Sequence, residues 1–330
     1  MSGETLDGGA FDGGSTAGAP TRVDHLAALP ATGPLYAGAL ARAGRAMVAT
    51  ASVGEGLPDR ALRVADVHLD RARLDAYCRL IGETAGEAAP PGFVHVTLFP
   101  LQLALMGRAD FPLPMLGMVH VANRVEQLRA VRTDDALVAT TWARDLVGRP
   151  VGSGDRLGTQ VELVTEARVG RPDGELVWQG VSTYLAKGVQ LPDLALLDRP
   201  ERPAFSPPVP TGGWTTAKLT SREYATVSGD RNPIHTHALA ARAFGFRGTI
   251  AHGMDTAARA LAALGPLRGE AFTWTAEFAA PVPVPGRVAL RLERAEDLDV
   301  TAGGVRPGWS MTAWDPRRGA LHLRSALALA

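Results

Sequence analysis

The chain carries an internal repeat, and that limits the folds open to it, because each copy must build the same unit and both units must settle their edges. Leu74 to Glu83 reads L-D-A-Y-C-R-L-I-G-E and Ser221 to Asp230 reads S-R-E-Y-A-T-V-S-G-D, with tyrosine, glycine and acid matching at one constant offset. A short alternating segment precedes each block, Ala61 to Leu69 and Trp214 to Leu219. An apolar helical stretch closed by glycine follows each, Leu98 to Met106 before Gly107 and Met254 to Leu264 before Gly265. Four strand-like segments come next in both halves. They are Gly117–Val131, Ala136–Val147, Thr159–Val169 and Glu175–Lys187 in the first, and Ala271–Ala280, Arg287–Glu296, Val305–Trp314 and Ala320–Ala328 in the second.

The third of these alternates well: Val161, Leu163, Thr165, Ala167 and Val169 face one way, with Glu162, Glu166 and Arg168 on the other side. That is the period of a half-buried antiparallel strand. Arg171-Pro172-Asp173-Gly174 supplies a tight turn into the next strand. One strand, then helices, then four strands predicts an α+β unit, a sheet curled around one central helix. Two such sheets joined edge to edge would cover strand edges that each leaves open alone. Between Gly188 and Gly213 lie six prolines, a semi-extended linker. The expected organisation is a disordered tail over residues 1–22, a first repeat over 23–187, the linker over 188–213 and a second repeat over 214–330.

Composition closes off several functions. At 330 residues with 46% hydrophobic content a sizeable core is expected. Lys plus Arg and Asp plus Glu both number 34, so there is no global basic footprint for nucleic acid. The single cysteine, Cys78, allows neither an internal disulfide nor a thiolate zinc cluster. No apolar run is long enough to span a bilayer. The first twenty residues are glycine-rich without a charged-then-apolar pattern, so a cytoplasmic protein is expected.

The chemistry concentrates in Y-A-T-V-S-G-D-R-N-P-I-H, Tyr224 to His235, and in A-H-G-M, Ala251 to Met254. Thr220-Ser221-Arg222-Glu223 has the spacing of a capping box, and a helix starting there would run to Ser228 and stop at Gly229. Asp230 then leaves the helix at a fixed place, Asn232-Pro233 redirects the chain, and His235 lies close to a further helix starting at His237-Ala238-Leu239. A carboxylate and an imidazole held together by a stiff loop suit general acid–base work on water. Asx turns with His235 as a cap are the structural alternative. A metal site from Asp230, His235, His237 and His252 is a third reading, weakened because no H-E-x-x-H spacing occurs. His252-Gly253 sits just before the helix Met254–Leu264, and an unpaired N–H at such a helix start can hold a developing oxyanion. A plain glycine turn with His252 as a hydrogen-bonded core residue is the alternative there. Gly152-Ser153-Gly154 lacks the setting of a dinucleotide loop and reads as a turn.

This pattern resembles the (R)-specific enoyl-thioester hydratases of the hydratase-2 or MaoC-like family, which have the hot-dog fold. Phe278 to Gly286, with Pro281 and Val282, fits as well, and Leu98–Met106 followed by Phe111–Val121 resembles the first half of the double hot-dog members. The likeness covers roughly Val64 to Ala330. It implies that Asp230 and His235 activate one water, that the Gly253 N–H polarises the thioester carbonyl, and that Asn232 supports the loop or the water. It also implies a first half that has lost the dyad and shapes the acyl pocket. Glu83 keeps an acid opposite Asp230, but no D-x-N-P-x-H follows it, so His95 reads as a leftover or structural histidine and His120 as core. Arg247, just before A-H-G-M, is a candidate near the site.

The implied reaction is reversible syn addition of water to a trans-2-enoyl thioester, giving the (R)-3-hydroxyacyl thioester. No cofactor is expected; CoA or acyl carrier protein is part of the substrate. A hot-dog thioesterase and a non-catalytic acyl-thioester-binding or partner subunit are the rival readings. Acyl length, carrier, direction and assembly, whether homodimer or paired subunit, stay open at this level.

Overall fold

The computed structural model describes residues 19–46, 56–152, 155–199, 204–300 and 304–330. The first half holds β1 (Arg22–Leu26), α1 (Thr32–Ala46), β2 (Arg60–Val67), α2 (Arg71–Ile81), a short β3 (Ala88–Ala89) and α3 (Pro91–Met106). After these come β4 (Met118–Gln127), a short β5 (Val131–Arg132), β6 (Leu137–Pro150), β7 (Leu157–Val169) and β8 (Leu176–Lys187). The second half holds β9 (Gly212–Thr216), α4 (Lys218–Ser228), α5 (Pro233–Thr236), α6 (Ala238–Ala243) and α7 (Gly253–Ala262). It ends with β10 (Phe272–Phe278), β11 (Gly286–Leu298), β12 (Arg306–Trp314) and β13 (Leu321–Leu329).

Eleven strands form one sheet in the order β1-β2-β6-β7-β8-β4-β10-β13-β12-β11-β9. From the centre outward, β4-β8-β7-β6-β2 and β10-β13-β12-β11-β9 run through the same sequence of elements, so the repeat is structural. The halves join where β4 and β10 pair antiparallel, from Phe272↔Gln127 to Glu277↔Ala122. The expected α+β double hot dog is what forms, each half-sheet wrapping its own helix, α3 or α7. Among the described residues no helix is long and apolar enough to cross a membrane.

Local chemistry explains the helices. Asp70 caps α2 by accepting from Arg73 N at 2.7 Å, and Gly82 closes it in the left-handed region at φ 80°. The matching α4 closes on Gly229 at φ 76°. Its start differs from expectation: α4 begins at Lys218 with Ala217 as cap, and the Thr220 hydroxyl accepts from Ala217 N at 3.4 Å. Thr220 thus caps from the third helical position, and β9 ends at Thr216 instead of running to Leu219. The central helix α3 is longer than expected, since Pro91 sits at its first turn, where no intrahelical donor is needed. Pro100 lies inside it and cannot bond Val96 O; the Arg73 guanidinium does so instead, at 2.9 Å. β1 and α1 were not foreseen: β1 adds to the sheet edge parallel to β2, and Asp24 pins it to Arg60 at 2.6 Å and Arg108 at 3.0 Å. The expected tail falls mostly outside the described residues, but Arg22 already belongs to β1. In the linker, Leu196 bridges Gly148.

The repeated tyrosines meet at the centre, the rings of Tyr77 and Tyr224 lying 6.2 Å apart and both wholly buried. Glycine is needed beside them: a Cβ on Gly92 would come within 2.3 Å of the Tyr77 hydroxyl. Gly92→Ala is therefore expected to destabilise the fold by about 1–3 kcal/mol through overpacking. Urea denaturation reads this directly, and an unchanged midpoint would mean that the tyrosine yields freely.

Candidate active site

The glycine that ends α4 hands the chain to Asp230, whose N–H donates to Ser228 Oγ at 3.1 Å. Asp230 Oδ1 accepts from the Asn232 N–H at 3.1 Å, and Asn232 Oδ1 accepts from Ile234 N at 3.4 Å, capping α5. Pro233 opens that single turn and places His235 on it. The His235 Nδ1–H donates to Ile250 O at 2.8 Å, which leaves the Nε2 lone pair free. The second segment is fixed from the other side: Ala251 N donates to Val282 O at 2.9 Å and Val284 N to Thr249 O at 3.1 Å. His252, the cap residue of α7, donates from Nε2 to Asp230 O at 3.0 Å and stacks on His235 with ring centroids 3.8 Å apart.

Asp230, Asn232, His235, His252 and Gly253 all line one cavity of about 1410 Å³. As the first residue of α7, Gly253 has an N–H with no carbonyl one turn back to bond. The Phe278 ring lies against it, 3.0 Å from where a Cβ would stand. The first half supplies the apolar wall through Phe99, Leu103, Met106, Met115 and Met118.

Burial pushes the Asp230 carboxyl up, but the adjacent His252 and His235 rings and hydrogen bonds from Tyr36 and the Asn232 N–H bring it below its ordinary value. Asp230 keeps 26% of its side-chain surface open, and that surface faces the cavity. Burial lowers His235 from the usual histidine range against the pull of Asp230, and lowers His252 to about 3. The resting site is thus a carboxylate beside two neutral imidazoles, a group able to take a proton next to one that can pass it on.

The family described as MaoC like domain matches residues 201–306. A similar protein, 3-hydroxyacyl-thioester dehydratase X of Mycobacterium tuberculosis, is 31% identical over 274 residues, which is 82% of this chain and 90% of its own. The chain belongs to the MaoC-like family. A crystal structure of HtdX from Mycobacterium tuberculosis is similar at TM-score 0.64 and 29% identity, covering 81% of this chain and 99% of that one. The peroxisomal multifunctional enzyme type 2 of Drosophila melanogaster shares the fold at TM-score 0.60 and 19% identity, over 82% of this chain and 48% of its own.

This MaoC-like chain brings Asp230, Asn232, His235, His252 and Gly253 together as expected, and leaves others out. Arg247 is exposed and is not among the residues lining the cavity, because the turn after α6 directs it outward. Glu83 pairs with Arg268 in a nearly buried ion pair away from the cavity, so the acid of the first repeat has become structural. His237 is exposed against Thr236. Asp230, His235 and His252 offer ligand-type atoms within 4.8 Å of one another. Of the two His252 ring nitrogens, Nε2 donates its hydrogen to the Asp230 carbonyl and Nδ1 is buried without a hydrogen-bond partner.

His95, expected as a leftover or structural histidine, and His120, expected as core, both stand at the cavity. Their rings lie 6.1 Å apart, and His120 stacks on Tyr184 at 4.7 Å and leans on Phe278 at 5.1 Å. The sequence also gave no sign of Tyr36, on α1, whose hydroxyl donates to Asp230 Oδ1 at 2.6 Å. Its partner lies in the other repeat, beyond the reach of local spacing.

Because burial penalises the charged imidazolium, both site histidines should protonate below the ordinary 6.5 of the side chain, His252 not until about 3. A nitrogen NMR titration should therefore find neutral rings for both from pH 8 down through 6.5; either ring protonating at or above that value would contradict this electrostatic reading.

Proposed function

We propose that the chain catalyses reversible syn addition of water across a trans-2-enoyl thioester, or the reverse dehydration of the (R)-3-hydroxyacyl thioester. The observation that carries the reading is the convergence of Asp230, His235 and the Gly253 N–H at one cavity that the first repeat lines with apolar side chains. The name and extent of the Mycobacterium tuberculosis relative support it.

In this reading the thioester carbonyl accepts from the Gly253 N–H, and the positive end of α7 meets the charge that gathers on that oxygen as water adds. Carbonyl polarisation makes the β-carbon electrophilic. Water lies between Asp230 Oδ2 and His235 Nε2; the pair removes its proton and delivers one to the α-carbon on the same face, which makes the addition syn. Asn232 caps α5 and so fixes the distance between the two groups. His252 holds the Asp230 main chain and keeps the loop against α7. No metal or redox cofactor is assigned, because a neutral water aimed at a polarised alkene needs only this acid–base pair. CoA or acyl carrier protein enters as part of the substrate.

Loss of conjugated-enoyl absorbance with a trans-2-enoyl-CoA and with the same acyl group on carrier protein tests the reading. Wild type should hydrate, and Asp230→Asn should lose about 10²–10⁴-fold in rate. Release of free thiol without hydration would make the chain a thioesterase. An enoyl thioester bound but unchanged on both carriers would make it an acyl-thioester-binding or partner subunit.

A further inference from the structure

The acid of the candidate dyad is held from outside its own repeat. α1 docks on the turn that presents Asp230, with Thr32 Cγ2 3.4 Å from where a Cβ on Gly229 would stand. Tyr36, 7% exposed, reaches the carboxylate from there, and its flanks Leu35 and Ala39 pack into the core. Asp230 Oδ1 accepts twice, from the Tyr36 hydroxyl at 2.6 Å and from the Asn232 N–H at 3.1 Å. Oδ2 has no such donor: its neighbour His252 Nε2 stands 3.9 Å away and gives its hydrogen to the Asp230 carbonyl instead.

We propose that Tyr36 is a positioning residue of this site, its hydroxyl occupying Asp230 Oδ1 so that Oδ2 alone faces the reacting water. The inference rests on the hydration reading above for its chemistry, but the coupling between the two side chains exists without substrate. A carboxylate rotated by even a few tens of degrees would offer water the wrong lone pair, and the short hydroxyl contact resists that rotation.

The same bond favours the ionised carboxylate. His235 on α5 and His252 at the start of α7 face Asp230 and are held neutral by burial. His95 on α3 and His120 on β4 stand across the cavity and are lowered to about 4 and about 3. Burial raises the phenols of Tyr184 on β8 and Tyr224 on α4, so they are neutral too. At neutral pH none of these groups carries a positive charge. Among the described residues, the hydrogen-bond donors to the carboxylate are the Tyr36 O–H and the Asn232 N–H, and removing the first must raise the pH at which Asp230 takes a proton.

The test compares wild type, Tyr36→Phe and a chain with 3-fluorotyrosine at position 36, whose phenol is a stronger donor of nearly the same shape. The Asp230 carboxyl is followed by isotope-edited infrared titration without substrate, using Asp230→Asn to assign its band. Tyr36→Phe should protonate at higher pH than wild type, and the fluorinated chain at lower pH. With a trans-2-enoyl-CoA, Tyr36→Phe should lose about 10- to 100-fold in kcat with KM held within about twofold, and the acid limb of its pH profile should move upward. The proposal is overturned if neither substitution moves the carboxyl titration, or if Tyr36→Phe lowers only the melting temperature. Should Tyr36→Phe fail to fold, the fluorinated chain still decides. A wild type inactive on enoyl thioesters would remove the hydration reading alone, because the substrate-free titration judges the tyrosine separately.

Discussion

Everything else in the molecule depends on the antiparallel join between β4 and β10. Six residue pairs there turn two half-sheets into one, and α3 meets α7 where a Cβ on Gly92 would stand 3.5 Å from the Ala258 Cβ. A single hot dog would expose that edge, whose unpaired N–H and C=O groups seek another chain. Closing it internally also sets the walls of the cavity: β4 brings Met118 and His120 against the second repeat's β10, which brings Phe278. The tilted contact of His120 with Phe278 crosses that seam, and Phe278 in turn rests on Gly253. The end of the cavity that holds Gly253 is therefore built on the join.

The two repeats have divided their labour in a way simple energetics explains. A dyad needs one carboxylate kept charged in a dry place, which costs several kcal/mol unless hydrogen bonds stand in for water. The second repeat meets that need through Asn232, and the first lends Tyr36. In the first repeat the matching acid, Glu83, is neutralised by Arg268 and withdrawn from the cavity. That half is free to line the tunnel with apolar residues and uncharged imidazoles. Its central helix α3, the counterpart of α7, is buried almost throughout, with Arg73 supplying the bond that Pro100 cannot make.

Much of this was legible in the chain. The tyrosine–glycine–acid repeat, the alternating strands and the proline-rich linker led to two sheet-and-helix units joined at an edge, because those patterns report periodicity and backbone conformation, which are local. The site loop was legible for the same reason: Gly229, Asn232 and Pro233 fix backbone angles, and those angles place Asp230 and His235. The helix expected over Leu98–Met106 starts earlier, at Pro91, and the hydrogen bond that Pro100 cannot make inside it is made good by Arg73 of α2, a tertiary contact that no local spacing reports.

What the sequence by itself determined, then, was the repeated fold, the join, and the acid and imidazole that short loops hold in place. Only the tertiary structure decided what faces them. Tyr36, His95, His120 and Tyr184 come from four elements of the first repeat, and no spacing along the chain relates them to Asp230. Their meeting depends on the order of strands in the sheet and on α1 folding back over the α4 turn. Side chains brought together by packing across a seam leave no period in the sequence, because the distance that matters is set by the sheet and not by the backbone between them.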